Sequence, residues 1–261
     1  MPGVKRSRSS QPPAMAGRPG GPALVAAAIL AGAGAGVLRA NFGDGWLEGL
    51  WARVTSRHSV AERLRTYGDP VAKRLAPAFA RAGSPYPPTQ VALVAIKDRH
   101  RLEVYARPDV TGPWRWIRTY PVLAQSGRLG PKLRAGDRQV PEGIYGAESL
   151  NPNSRFHLAI RVDYPNAGDR AAALAEGRDD LGSDIMIHGA AVSIGCLAMG
   201  DRAAEDLFVL AALAGTRNVR IVISPVDFRD PAARAPETDR SWLRDRYASL
   251  ANELAQFPRT P

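Results

Sequence analysis

Cysteine and histidine are both scarce in this sequence, which has one cysteine, Cys196, and four histidines among its 261 residues. A single cysteine excludes an intramolecular disulfide, and the few dispersed histidines do not give the paired-ligand spacing of a structural zinc site. No P-loop or dinucleotide-binding glycine pattern occurs either. The sequence therefore predicts no metal and no other cofactor, and we expect any catalysis to come from the chain's own side chains.

Acidic residues are missing from the beginning of the chain, where none occurs before Asp44. Lys5, Arg6, Arg8 and Arg18 precede an uncharged, mostly apolar stretch over residues 19–38. A basic segment followed by an apolar run is typical of an export signal. We interpret residues 1–40 as a signal peptide or an uncleaved anchor that contacts the membrane, and expect export to the periplasm or cell envelope. A disordered Ala-, Gly- and Pro-rich tail is the alternative.

The net charge of +10 does not predict nucleic-acid binding, because half of it lies in the first 40 residues. In the rest of the chain the arginines are scattered among acids rather than clustered with aromatic residues, which indicates a solvated surface. Hydrophobic residues make up 45% of the sequence, enough for a packed core.

A helical arm and linker is predicted over residues 41–87. Ser59 and Glu62 have the spacing of a capping box, and Asp69 before Pro70 predicts a second helix start. The proline-rich stretch 84–88 then predicts a domain boundary, because the hydrophobic periodicity changes there from helical to extended.

The following domain, residues 88–226, is predicted to be mainly β within an α+β protein, with a helical extension over 227–261. Strands are predicted at 90–96, 102–106, 114–123, 156–162, 184–188 and 219–224, and helices at 201–214 and 236–257. Asp201 is the predicted N-cap of the first of these helices. The intervals 124–154 and 163–183 are predicted to be long, site-forming loops.

The segment 185–199, with the sequence IMIHGAAVSIGCLAM, contains the chemistry-bearing residues. A thiol is a good nucleophile only as a thiolate, so a histidine within hydrogen-bond reach would activate Cys196. His188 ends a predicted strand, and Gly189 allows the chain to turn there. The backbone amides around Gly195 and Cys196 are candidate donors to an oxyanion. A small buried hydrophobic cysteine is the alternative.

Three ordered blocks resemble the YkuD-type L,D-transpeptidases, which are cysteine enzymes of bacterial peptidoglycan. The first is GPKLRAGDRQVPEGIYG at 130–146, the second is LNPNSRFHLAI at 150–160, and the third is His188-Gly189 followed by Ser193-x-Gly195-Cys196. The resemblance implies a mixed β-sandwich or barrel core with flanking N- and C-terminal helices. The common form of the motif has a longer loop after the histidine, and the compact form found here is similar to the YafK-like branch.

The resemblance also implies the roles of the site residues. Cys196 would attack the carbonyl at the L-centre of diaminopimelate in a stem peptide, giving a thioester. His188 would serve as general base and then acid, Ser193 would orient the loop or a ring nitrogen, and Gly195 would contribute its backbone to the oxyanion hole. Gly189 would lie at the substrate.

Several other residues have both a functional and a structural interpretation. Arg155 and Lys132 could bind the carboxylates of diaminopimelate or could be surface charges. His157 is more consistent with a structural histidine than with a substrate contact, and His58 and His100 are predicted to be exposed and idle. The carboxylates Asp137 and Glu142 admit a glycosidase interpretation, although their stretch is also typical of turn chemistry.

Three functions remain open from the sequence. The leading one is a peptidoglycan L,D-transpeptidase that takes part in cell-wall biogenesis or remodelling and cell shape. The second is a hydrolase with the same site, which cuts stem peptides or releases a peptidoglycan-linked lipoprotein. The third is a non-catalytic peptidoglycan-binding domain.

Overall fold

The structure is a computed structural model that describes residues 57–259. The predicted signal segment 1–40, and the predicted helical pattern over 41–56, lie outside these residues. The helices are α1 (Val60–Arg81), α2 (Ala167–Ala175), α3 (Asp201–Ala214) and α4 (Ser241–Leu254). The strands are β1 (Gln90–Ile96), β2 (Arg101–Arg107), β3 (Arg115–Pro121), β4 (Ala124–Gln125), β5 (Gly143–Ser154), β6 (His157–Val162), β7 (Met186–His188), β8 (Leu197–Ala198) and β9 (Val219–Ser224).

The strands form one mixed sheet in the order β3-β2-β1-β9-β5-β6-β7-β8-β4. The β1–β9 and β7–β8 pairs are parallel and the others are antiparallel. β5 joins the two halves, because its first four residues pair with β9 and its remainder pairs with β6. The prediction of a mainly β core with flanking helices is confirmed, as are all six predicted strands.

The core lies on both faces of the sheet. In β1, Val91, Leu93 and Ala95 pack into the cluster shared with α1 and α3, whereas the alternate residues Ala92, Val94 and Ile96 pack towards α4. This alternation follows from the two-residue period of a strand. Burial on both faces explains why β1 is an almost continuous apolar run.

Helix α1 begins as predicted but does not break where predicted. Ser59 and Glu62 form the capping box, with Glu62 N donating to Ser59 Oγ over 3.2 Å. Asp69 is not a second helix start, because the helix continues through Pro70 to Arg81. A proline inside a helix removes one backbone hydrogen bond. The buried stripe Val71, Leu75, Ala78 and Phe79 holds the helix against the core and offsets that loss.

Both long loops predicted from the sequence contain regular structure. The interval 124–154 includes β4 and the twelve-residue β5, whose pairing with β6 has two register shifts. The interval 163–183 includes α2, which begins with a capping box formed by Asn166 and Asp169. Among the described residues, no helix is long and apolar enough to cross a membrane.

Candidate active site

The parallel pair β7–β8 places the predicted histidine and cysteine on neighbouring segments of the sheet. Ile187 lies opposite Leu197, and His188 lies opposite Ala198. His188 is the last residue of β7, and Cys196 immediately precedes β8. The two residues thus lie on adjacent segments, although a seven-residue loop separates them in the chain.

His188 is buried, with 1% of its surface exposed. Its Nδ1 lies 2.6 Å from the carbonyl oxygen of Gly189. Because a carbonyl only accepts, Nδ1 carries the proton in this bond, and the lone pair of the neutral ring is on Nε2. Burial lowers the pKa of His188, although the bond to Gly189 acts in the opposite direction. The ring stacks on Phe156 at 4.6 Å. The arrangement provides a neutral base of defined tautomer.

Cys196 is partly buried at the beginning of β8. Its Sγ donates to the carbonyl oxygen of Asp184 over 3.6 Å. Burial raises the pKa of Cys196, and the charge of Asp184 adds to this, while a backbone hydrogen bond at Met186 and the charge of Lys132 oppose it. The cysteine therefore rests as a neutral thiol.

The backbone amides that were predicted to stabilise an oxyanion already donate hydrogen bonds to other groups. Gly195 N donates to Ser126 Oγ over 2.6 Å, and Ser126 Oγ donates to the carbonyl oxygen of Arg138 over 2.8 Å. Cys196 N donates to Ser193 Oγ over 3.0 Å, and that hydroxyl donates to the Cys196 carbonyl oxygen over 2.6 Å. Ser193 contacts the loop backbone. Each candidate oxyanion donor is thus hydrogen-bonded to a serine hydroxyl.

Ser126 is a site residue that sequence reasoning missed. It follows β4, which pairs with β8 through Gln125 and Leu197. This pairing places Ser126 beside the cysteine loop, and Gly195 has a positive φ of 86° that a side chain would strain. Contact between residues 69 positions apart has no local signal in the sequence.

Gly189 lies where the chain passes close to α3. A Cβ atom there would lie 2.6 Å from Asp201 Oδ1 and 2.7 Å from the carbonyl oxygen of Phe156. Asp201 is not the N-cap of α3, as the sequence had predicted, because Gly200 occupies that position. The Asp201 carboxylate instead accepts from Ala190 N over 2.8 Å. The first turn of α3 therefore holds the chain just after His188.

The two predicted carboxylate-binding residues lie in different surroundings. Lys132 is buried, and its Nζ lies 2.6 Å from Asp137 and also donates to the carbonyl oxygen of Arg134. Arg155 is exposed between β5 and β6. Lys132 is thus neutralised by a carboxylate of the protein itself.

The two carboxylates that admitted a glycosidase interpretation are both in structural contacts. Asp137 accepts from Lys132 and from the amides of Leu133, Arg134 and Gln139, which closes a turn. Glu142 is fully buried and binds Lys97 over 2.8 Å and the Tyr247 hydroxyl over 2.8 Å.

The other three histidines bind other groups or are exposed. His157 Nε2 lies 3.2 Å from Glu205 Oε1, and its ring meets the edge of Tyr67. His58 and His100 are exposed. Within residues 57–259, no cluster of three or more His, Cys, Asp or Glu could hold a metal ion.

The candidate site thus contains a histidine that ends β7 and a cysteine that immediately precedes β8. Residues 89–223 match the family described as YkuD, L,D-transpeptidase catalytic domain. The chain belongs to this family.

The chain is similar to a named protein in sequence and to two solved structures over part of their length. The chain is 35% identical over 172 residues to the Escherichia coli K12 protein named "Putative L,D-transpeptidase YafK", covering 64% of this chain and 63% of that relative. It thus spans less than two thirds of that relative's length. The helical cell shape determining protein Pgp2 from Campylobacter jejuni is 16% identical, with a TM-score of 0.42, over 66% of this chain and 71% of Pgp2. Bd1075 of Bdellovibrio bacteriovorus is 20% identical, with a TM-score of 0.38, over 64% and 56%.

Proposed function

We propose that this chain is a peptidoglycan L,D-transpeptidase that acts through a thioester on Cys196. The observation that carries the proposal is the hydrogen bond from His188 Nδ1 to Gly189 O, which leaves the lone pair on Nε2 available to accept a proton. Family membership supports the same reaction class.

The first half-reaction forms the acyl-enzyme. Cys196 Sγ attacks the carbonyl carbon at the L-centre of diaminopimelate while its proton passes to His188 Nε2. Because both groups are neutral at rest, proton transfer accompanies attack rather than preceding it. The scissile C–N bond then breaks, the leaving amine takes the proton from His188, and the thioester remains.

The second half-reaction resolves the thioester. An acceptor amine attacks the thioester carbonyl, loses its proton to His188 and forms a new amide, and the sulfur leaves as a thiolate that recovers the proton. The product is a crosslink between two stem peptides, or a linkage to a lipoprotein. Neither half-reaction needs a metal or other cofactor. Ser193 positions the loop, and Gly189 allows the close approach to α3 that fixes the base.

Hydrolysis is the second candidate, and the short loop between the two residues favours it. Only residues 189–195 separate His188 from Cys196, and within this loop Val192 is 59% exposed and Ile194 is 76% exposed. An uncovered loop gives water access to the thioester. The same site would then cut stem peptides or release a peptidoglycan-linked lipoprotein.

Action on peptidoglycan requires that the chain be exported. We propose that residues 1–40 direct the protein to the periplasm, as a cleaved signal or as an inner-membrane anchor. Fusion of this segment to a reporter that is active only after export tests the proposal. A reporter that stays inactive contradicts it.

The reaction is tested with the purified full-length chain, sacculi and lipoprotein-linked sacculi, followed by mass spectrometry of the muropeptides. New dimers joined through two diaminopimelates support transfer, and their absence together with release of linked protein supports hydrolysis. Cys196→Ala and His188→Asn are the matched controls, and each should remove either product. No change in either substrate with Cys196 reduced contradicts both functions.

A further inference from the structure

A basic groove lies beside the cysteine loop, between the segment 128–139 and the segment that leads into α4. Its volume is about 680 Å³, and its lining includes Arg128, Arg134, Arg178, Arg240, Asp137 and Glu237. Arginines outnumber acids in this lining, so the groove favours an anionic ligand.

The four arginines differ in what they already bind. Arg178 and Arg240 both pair with Glu176, and Arg178 also donates to the carbonyl oxygen of Leu133. Arg128 and Arg134 are exposed, and neither guanidinium has a hydrogen bond or ion pair with another residue of 57–259. Asp137, the nearest acid in the chain, is taken by Lys132. Two guanidiniums of the groove are therefore free to bind a ligand.

The wall of the groove is attached to the cysteine loop. Ser126 Oγ accepts from Gly195 N over 2.6 Å, and Gln139, which lines the groove, accepts from Arg128 N over 3.0 Å. Arg128 follows Ser126 by two residues, so their Cα atoms are at most about 7.6 Å apart. The wall of the groove therefore continues into the segment that contacts Gly195, the residue before Cys196.

The proposed donor carries a second carboxylate several bonds away from the carbonyl that reacts. In diaminopimelate about five carbon–carbon bonds of about 1.5 Å separate the L-centre from the carboxylate of the other centre. A guanidinium recognises a planar carboxylate through two parallel hydrogen bonds, which an ammonium does not provide. Lys132, predicted from the sequence to bind this carboxylate, is occupied by Asp137.

We propose that Arg128 and Arg134 form a subsite for the distal carboxylate of the donor diaminopimelate. This inference rests on the proposed function, because it takes the stem peptide as the substrate. The subsite makes the enzyme selective for a free carboxylate over an amide at that position.

The test combines two substrates with two arginine variants of the full-length chain. Stem peptides with a free or an amidated distal carboxylate are compared for wild type, Arg128→Gln and Arg134→Gln. On the free acid, each variant should raise KM about tenfold with kcat nearly unchanged, because a hydrogen bond to a charged group is lost. Amidation of the substrate should also raise the KM of the wild type about tenfold. It should change the KM of the Arg128→Gln, Arg134→Gln double variant very little, because both guanidiniums are already absent. Arg81→Gln, at the end of α1, is the matched control.

Two results would overturn the subsite. One is a wild-type KM that is the same for both peptides, and the other is an equal loss in the variants on both peptides. If the wild type turns over neither peptide, binding of both peptides to Cys196→Ala is measured by calorimetry. If the free acid binds more tightly than the amide and this difference requires both arginines, the proposed subsite is supported and the proposed reaction is contradicted. If both peptides bind equally tightly, the subsite is contradicted.

Discussion

Two regions of this molecule differ in the charge state of their ionisable groups, because one contains a buried ion pair and the other contains two neutral groups. At the junction of β5 and α4, Lys97 and Glu142 are paired over 2.8 Å, and Tyr247 donates to the same carboxylate. At the β7–β8 edge, His188 and Cys196 are both kept neutral, with backbone carbonyls as hydrogen-bond acceptors. In the first region opposite charges compensate one another. In the proposed reaction the groups of the second region exchange a proton, so we expect substitutions there to affect activity rather than stability.

The largest loss of activity should come from Cys196→Ala. Acyl transfer should fall by at least about three orders of magnitude, because the nucleophile is lost. The free energy of unfolding should change by no more than about 1 kcal/mol, since the side chain is small and only partly buried. Muropeptide analysis measures the first quantity, and urea denaturation measures the second. A large loss of stability would indicate that the cysteine has a structural role.

A substitution in the Lys97–Glu142 pair should reduce stability more than activity. Glu142→Gln removes the partner of buried Lys97 and should lower the free energy of unfolding by about 3 kcal/mol. Burial already lowers the pKa of Lys97, against the effect of Glu142, so loss of the carboxylate lowers that pKa further. The lysine is then more easily neutralised, and the destabilisation should shrink as the pH rises.

The control for Glu142→Gln is a substitution in a more exposed pair. Arg99 and Asp230 lie 2.8 Å apart with side chains that are 41% and 24% exposed. Asp230→Asn should change the free energy of unfolding much less than Glu142→Gln does, because solvent screens the exposed pair. Equal effects of the two substitutions in urea denaturation would contradict the distinction between the regions.

A smaller effect is expected from Ser126→Ala. Gly195 N would lose its acceptor at 2.6 Å, and the cysteine loop would lose its contact with the residue that follows β4. We expect kcat to fall about tenfold with little change in KM, because a buried amide left unpaired shifts the loop. Ser126→Thr, which keeps the hydroxyl, should restore most of the rate. A faster Ser126→Ala enzyme would instead show that the hydroxyl competes with substrate for the amide.

The candidate site residues were predicted from a local pattern, whereas part of their surroundings has no such pattern. His188 and Cys196 were selected because a strand-terminal histidine and a Ser-x-Gly-Cys segment occur in one short stretch. β5 was predicted as a loop because register shifts interrupt its pattern, and α2 was missed because its capping box is Asn166 with Asp169. The Asp69–Pro70 pattern predicted a helix start, but packing of the helix against the core keeps it continuous through Pro70. The contact of Ser126 with Gly195 and the ion pair of Lys132 with Asp137 could not be predicted, because they form in the folded chain and leave no hydrophobic periodicity in the sequence.

The smallest effect is expected from a substitution of the acid beside the thiol. Asp184 raises the pKa of Cys196 through its charge, after the larger effect of burial, and its carboxylate is bound by Arg161 over 2.7 Å. Asp184→Asn should lower the thiol pKa slightly, because the carboxylate is 65% exposed and solvent screens it.

The measurement is the rate of alkylation of Cys196 by iodoacetamide as a function of pH. In the wild type the rate should keep rising to a pH above the ordinary thiol range, because the raised pKa leaves little thiolate at neutrality. Acyl transfer should persist to a lower pH than an ordinary histidine allows, because burial lowers the pKa of His188 and delays its protonation. An alkylation midpoint below the ordinary thiol pKa would show instead that the two residues rest as a thiolate–imidazolium pair.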